Sequence, residues 1–272
     1  MKSYGKNSRV RDMVEVATEA AAAGGELLRE HWGTTCSVSY KGAVDLVTAA
    51  DLEVEDLLVR MLHESFPDHG IVAEERHPEA AVAEYCWYVD PLDGTTNFAH
   101  HYPHFAVSIA LAHKSSPVLG VVHDPLRDEV FAAVLGKGAT LNGQRISVST
   151  TLTLDQGLLA TGFPYDRRER ANFYLRLYEK FLTRSQGIRR AGSAALDLCY
   201  VAAGRLDGFW EYSLQPWDTA AGGLIVSEAG GSLSDFSGQQ FRLGGDGILA
   251  SNGLIHPEMI RVLREFEDDH PK

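Results

Sequence analysis

The chain has 272 residues, 44% of them hydrophobic, and carries a formal net charge of -12. That is enough apolar material for a sizeable core, in one large domain or two intimate lobes, and the acidic balance argues against a nucleic-acid backbone or an anionic membrane surface as the main partner. The three cysteines, Cys36, Cys86 and Cys199, have no paired spacing and read as free thiols of a reducing compartment. No run approaches the roughly 18 apolar residues of a spanning helix and the start has no apolar leader, so a soluble, cytoplasmic protein is expected.

From about Ser8 to Trp32 an Ala-rich stretch places Met13, Val16, Ala20, Ala23 and Leu27 near one stripe and closes at Gly33, which predicts a helix. Gly24 and Gly25 inside it cost about 1 kcal/mol each in helix stability, so a close contact or a kink is expected there. A second helix follows Asp51, with Val54, Leu57, Leu58, Met61 and Leu62 at i, i+3, i+4, i+7 and i+8. Thr48 and Asp51 have the spacing of a capping box, so Asp51 is either a helix-start carboxylate or a catalytic one. Ile71-Val72-Ala73 reads as a short buried strand that ends in Glu74-Glu75.

The most informative stretch is Trp87-Tyr88-Val89-Asp90-Pro91-Leu92-Asp93-Gly94-Thr95-Thr96-Asn97-Phe98. An apolar run delivers Asp90 to a strand end, and Asp93 precedes a glycine and two hydroxyls. Carboxylates this close repel each other unless a cation sits between them, and hard oxygen donors suit Mg²⁺ better than Zn²⁺. Gly94 allows close backbone approach, and the N–H groups after it can hold a phosphate. For the Asp-Gly pair alone, a plain turn is the competing explanation.

Beyond it, Phe105, Val107, Ile109 and Leu111 alternate as a half-buried strand, Gly120 to Val122 and Glu129 to Val134 continue an antiparallel meander, and Gly136 to Ala139 and Asn142 to Gln144 give hairpin turns. The Gly-Lys pair lacks the spacing of a P-loop. His100, His101 and His104 read as surface histidines, because no third zinc ligand follows at motif spacing. The pattern then changes from meander to alternating strands and helices, which places a boundary between an α+β lobe, residues 1–150, and an α/β lobe, residues 151–272. In the second lobe Leu158 to Thr161 is a strand, Tyr174, Leu177, Tyr178, Phe181 and Leu182 face one side of a helix, and Ser193 caps another helix after Gly192, with Arg189 or Arg190 adding positive charge. Phe209 to Tyr212 is a strand carrying Glu211 among aromatics, Asp218 lies in the first turn of the helix that starts at Pro216, and a terminal helix begins at Pro257.

The string from Trp87 to Phe98 resembles the WxxDPxDGTTNF signature of the inositol monophosphatase family of Mg²⁺-dependent phosphatases. Pro91 stands where a haloacid dehalogenase phosphatase would have its aspartyl nucleophile, which removes that look-alike. Trp217 through Gly231 resembles the second signature, WDxAxGxxxxxEAGG; Glu74 matches the first Glu of the GEE motif, with Ala73 in place of Gly; and Asp51 matches the last Asp of DLVTxxD. The resemblance implies a layered α/β/α/β/α sugar-phosphatase sandwich, usually a homodimer, that hydrolyses myo-inositol monophosphate and is sensitive to lithium. It implies two or three Mg²⁺ ions: one on Glu74, Asp90 and the Leu92 carbonyl, a second on Asp90, Asp93 and Asp218, and a weaker third on Glu74 and water. Thr95, backed by Glu74 or Asp51, would orient and deprotonate a water for in-line attack at phosphorus. Asp93, Gly94, Thr95, Arg189, Gly192, Ser193, Ala194, Glu211 and Asp218 would contact substrate, and Lys41 would lie in a loop that approaches the metals. Fructose bisphosphatase or broader sugar-phosphate activity is the runner-up, and a phosphate- and metal-binding regulator with little turnover is the rival of another class.

Overall fold

In the computed structural model the described residues are 4–33, 38–40, 46–76 and 83–269. Lys41 and Cys36 lie outside them; Cys86 and Cys199 are buried free thiols. Helix α1 (Tyr4–His31) is followed by the short antiparallel pair β1 (Val38–Tyr40) and β2 (Leu46–Thr48), and then by α2 (Ala49–Ser65). The glycine pair in α1 marks close contacts: a Cβ on Gly24 would lie 3.1 Å from Val54 of α2, and one on Gly25 would lie 2.4 Å from the His123 ring.

The first sheet has seven strands in sequential order: β3 (Gly70–Ala73), β4 (Tyr85–Asp93), β5 (Ala106–His113), β6 (Ser116–Asp124), β7 (Glu129–Val134), β8 (Gly138–Leu141) and β9 (Gln144–Arg145). Among the described residues of this sheet, β3 and β4 pair in parallel and the other neighbours pair antiparallel. The short helix α3 (Thr95–Ala99) follows β4 directly. The second sheet, ordered β11-β10-β12-β14-β13, is built from β10 (Leu158–Thr161), β11 (Gly187–Arg189), β12 (Gly208–Tyr212), β13 (Ser232–Ser234) and β14 (Gly247–Ser251). Helices α4 (Arg167–Leu182), α5 (Ala194–Ala202), α6 (Pro216–Glu228) and α7 (His256–Asp269) are threaded among these strands.

Among the described residues three apolar cores fill the four interfaces of five layers, one of them on both sides of the middle layer. Met13, Ala17, Val54 and Leu58 of α1 and α2 pack on Trp87, Val89, Val107 and Ile109 from one face of the first sheet. Its other face, through Ala106, Ala110 and Val122, meets α5 and α6, which also cover Phe209 and Ile248 of the second sheet. Leu177, Phe181, Met259 and Val262 of α4 and α7 close the far side of that sheet on Trp210 and Leu249. The result is the α/β/α/β/α sandwich the resemblance implies. The sheet change falls between Arg145 and Leu158, yet α5 and α6 belong to the core of both sheets.

Sandwiching corrects one reading of the sequence. Strand β5 is buried on both faces, because its small alanines lie under a helix layer where polar residues would otherwise face water. A second correction concerns His104, which is 5% exposed and no surface residue. Leu182, at the end of α4, is 50% exposed, so the buried stripe of that helix stops at Phe181.

Candidate functional site

The site forms where β4 breaks register. Asp90 pairs with Ser108 and Asp93 with Ala106, so three residues on β4 span two on β5. Strand alternation alone would send residues three apart to opposite faces; the bulge between Asp90 and Asp93 turns both carboxylates to the same side. The chain then passes through Gly94 at φ +99, where a Cβ would come within 3.0 Å of the His104 carbonyl oxygen, and enters α3 at Thr95.

Residues from before and after the sheet change hold this turn. Asp93 Oδ2 accepts from Ser193 Oγ at 2.5 Å and from the Ala195 N–H at 2.8 Å, at the start of α5. Ser193 Oγ in turn accepts from the Leu196 N–H, as the cap of that helix. Asn97 Nδ2 donates to the carbonyls of His104 at 2.7 Å and Ala191 at 2.8 Å. Asp90 Oδ1 accepts from the Leu92 N–H at 2.9 Å, and Asp218 Oδ2 from the Gln215 N–H at 2.7 Å, so backbone amides fix one oxygen of each carboxylate.

A cavity of about 420 Å³ opens over these groups. Glu74, Asp90, Leu92, Asp93, Gly94, Thr95, Gly192, Ser193, Ala194, Glu211 and Asp218 all line it. Asp51 does not: it is buried behind Thr95, whose Oγ1 lies 2.9 Å from Asp51 Oδ1 and 3.0 Å from the Leu92 carbonyl. The single hydroxyl proton serves these acceptors, so toward the cavity, which Thr95 also lines, its oxygen can act only as an acceptor. Asp51 also accepts from the Thr48 N–H at 2.8 Å, so it serves as helix cap and Thr95 partner together.

Arg189 is a correction. It ends the edge strand β11, is exposed and bonds the Ile188 carbonyl, whereas its neighbour Arg190 lines the cavity, with its guanidinium 5.7 Å from the Phe163 ring. Successive side chains at a strand end point to opposite sides, and the sequence leaves that choice open. Sequence reasoning also missed Asp197, a buried carboxyl on α5 in the cavity wall, and the rim formed by Phe163, Tyr165 and Arg167. Asp197 had one signal, an acid in the first turn of an otherwise apolar helix.

The charges are strained against one another. Burial, then Glu74, Asp93 and Asp218, hold the Asp90 carboxyl well above the ordinary range. Asp218 is raised by burial and by Glu74 and Asp93. Asp93 is pushed up to about 6 by burial, against the bonds from Ser193 and Ala195. Burial takes Glu211 to about 8, with Arg190 opposing. Among the described residues no three His, Cys, Asp or Glu side chains stand close enough to make a ready-made cage. What fits a divalent cation is the donor chemistry: several carboxylates whose mutual repulsion a hard cation would relieve.

A five-layered sandwich with acidic side chains gathered beside a glycine turn and a helix start is the sugar-phosphatase type of architecture. A family profile described as "Inositol monophosphatase family" matches residues 9–267. Inositol-1-monophosphatase of Synechocystis sp. is 47% identical over 260 residues, covering 94% of this chain and 90% of that protein. Nus factor SuhB of Escherichia coli is 44% identical over 261 residues, covering 94% and 97%. The solved structure of inositol monophosphatase from Anabaena (Nostoc) sp. superposes with a TM-score of 0.85 at 41% identity, covering 94% of this chain and 97% of that one. The chain belongs to the inositol monophosphatase family, a family of metal-dependent phosphatases.

Proposed function

We propose that the protein hydrolyses myo-inositol monophosphate to inositol and phosphate with the help of two or three Mg²⁺ ions. The observation that carries this reading is the bulge in β4 that turns Asp90 and Asp93 to one side, next to Glu74, Asp218 and the Gly94-Thr95 turn. In this reading Glu74, Asp90, the Leu92 carbonyl, Asp93 and Asp218 hold the ions. When bound, they supply Lewis acidity for a water and neutralise charge on the leaving oxygen.

The chain's own groups do the rest. N–H groups of Gly94 and Thr95 take phosphate oxygens at the start of α3. The Thr95 hydroxyl, its proton engaged by Asp51 or the Leu92 carbonyl, accepts a hydrogen bond from the attacking water and so points the water's lone pair at phosphorus. The water's proton passes to Glu74 or, through Thr95, to Asp51; the new P–O bond forms as the ester P–O bond breaks in line, the departing alkoxide takes a proton from solvent water to give the alcohol, and the base then returns its own proton to solvent. Ser193, Ala194 and Glu211 face the polyol hydroxyls, and Arg190 replaces Arg189 as the positive charge on that side. The name of the Synechocystis relative supports the inositol substrate. Fructose bisphosphate and other sugar phosphates are the alternative substrates. The protein acts as a homodimer in the cytoplasm in this reading; among the described residues no helix is long and apolar enough to cross a membrane.

A second reading is favoured by the relatives named Nus factor SuhB, 44% identical in Escherichia coli: a regulatory role beside or instead of turnover. Phosphate release from a panel of monoesters, inositol 1-phosphate first, with and without Mg²⁺, separates the two. Mg²⁺-dependent release with inositol 1-phosphate preferred supports the enzyme; no release at saturating Mg²⁺ supports the regulator.

A further inference from the structure

Helix α2 carries a second buried acid one turn beyond Asp51. Glu55 is fully buried, and its carboxylate accepts two backbone N–H groups: that of Glu75 at 2.6 Å on Oε2 and that of Arg76 at 2.8 Å on Oε1. These are the two residues that immediately follow Glu74. On the other side, the Glu74 N–H donates to the Val89 carbonyl at 3.3 Å, one residue before Asp90. The main chain at Glu74 is therefore tied to the strand that bears Asp90 and to the helix that bears Asp51.

Burying a carboxylate is costly unless it is fully hydrogen bonded, and an apolar side chain would fill the same space without that cost. Two charge-assisted bonds to consecutive amides repay it and hold the turn that follows the last paired residue of β3, Ala73. Since Asp51 and Glu55 are four residues apart, they share one face of α2. Asp51 holds Thr95 and Glu55 holds the turn after Glu74, so one rigid helix sets the distance between the two groups that address the attacking water.

We propose that Glu55 is a positioning residue that fixes Glu74 in its cation-binding place. The proposal rests on the reading of Glu74 as a metal ligand. Glu55→Gln keeps the size but lets only one of the two amides find an acceptor, while its NH₂ opposes the other. Calorimetric titration of the metal-free protein with Mg²⁺ then gives a Kd raised about 10-fold to 100-fold, the cost typical of losing a group that orients a ligand. At saturating Mg²⁺ the KM for inositol 1-phosphate stays within about 2-fold of the unaltered protein, which separates positioning from general loss of structure. Asp56→Asn is the control: Asp56 is exposed and bonds the side chain of Arg76 across the same turn, not a main-chain amide of it, so its Mg²⁺ affinity is unchanged.

Glu74→Gln tells the two readings apart. If it leaves Mg²⁺ affinity intact, Glu74 is no ligand and the underlying reading falls. If it weakens binding while Glu55→Gln matches the unaltered protein, only the present proposal falls. Should Glu55→Gln fail to fold, amide exchange in the unaltered protein decides, because coupling between two events is reciprocal. Mg²⁺ must slow exchange of the Glu75 and Arg76 amides about 10-fold or more; exchange indifferent to Mg²⁺ overturns the proposal.

Discussion

Gly120 lies in the middle of β6, under the helix that carries Asp218. A Cβ added there would stand 2.8 Å from both the Cα and the carbonyl oxygen of Ala221 in α6, whereas carbon atoms pack at roughly 3.5–4.0 Å. The obstacle is main chain and has no rotamer to escape into, so Gly120→Ala must push α6 away from the sheet by about 1 Å. Overpacking of this kind costs about 1–3 kcal/mol. At about 2–4 °C per kcal/mol for a chain of this size, the Tm falls by about 2–12 °C. Because Asp218 sits in the first turn of α6, Mg²⁺ binding weakens as well. Gly223, on the same helix, makes the opposite case: its added Cβ meets only the Leu233 Cδ2 at 3.2 Å, the end of a flexible side chain, and alanine in a helix is favoured over glycine by about 1 kcal/mol. Scanning calorimetry of both variants is expected to show Gly120→Ala clearly destabilised and Gly223→Ala equal to the parent or more stable. Equal Tm values for the two would refute the claim that backbone contact between α6 and β6 is close-packed here.

His104 is buried beside Tyr200 and Arg127, and burial takes its imidazole down to about 4. The neutral form is thus the folded one: stability is fully present above the unfolded value near 6.5 and is lost as pH falls from there towards 4, by up to about 3 kcal/mol. Urea unfolding from pH 7 to pH 4 is expected to show that slope, and His104→Gln to lack it; parallel slopes would be contrary evidence. Thr95→Val removes the hydroxyl that faces the water but no carboxylate, so kcat is expected to drop by about 10²–10⁴ with the Mg²⁺ Kd unchanged; a lost Mg²⁺ affinity instead would make Thr95 part of the metal site. Ser193→Ala deletes both the cap of α5 and the bond to Asp93; chemical denaturation is expected to register a loss of about 0.5–2 kcal/mol, and titration a weaker Mg²⁺ site. An unchanged Mg²⁺ Kd in a destabilised protein would leave Ser193 a cap alone.

The sequence displays the parts of this site that are local. Asp90, Asp93, Gly94 and Thr95 occur in one string, Asp51 and Ser193 stand at helix starts, and Asp218 is in a first turn, each visible from spacing. What it hides depends on register and layering. The bulge that turns Asp90 and Asp93 to one side is a count of residues on β4 against β5, which neither strand states alone. Arg189 and Arg190 differ by one step of alternation at a strand end, and only the fold chooses Arg190. The alternation in β5 looked half-buried because Ala106, Ala110 and Ala112 are neutral in pattern, and the covering helices come from a hundred residues further on. Glu55 sits among Val54 and Leu58 as an acid on an apolar stripe, a signal present in the sequence whose partner amides, at Glu75 and Arg76, are beyond its reach.

Crystals grown with Mn²⁺ in place of Mg²⁺ test the central claim most directly, since anomalous scattering locates the ion itself. The expected result is anomalous density among Glu74, Asp90, Asp93 and Asp218, with carboxylate oxygens directly coordinated to the ion, absent or weakened in crystals of Asp93→Asn. Density elsewhere on the molecule, or none between these four side chains at millimolar Mn²⁺, would contradict it.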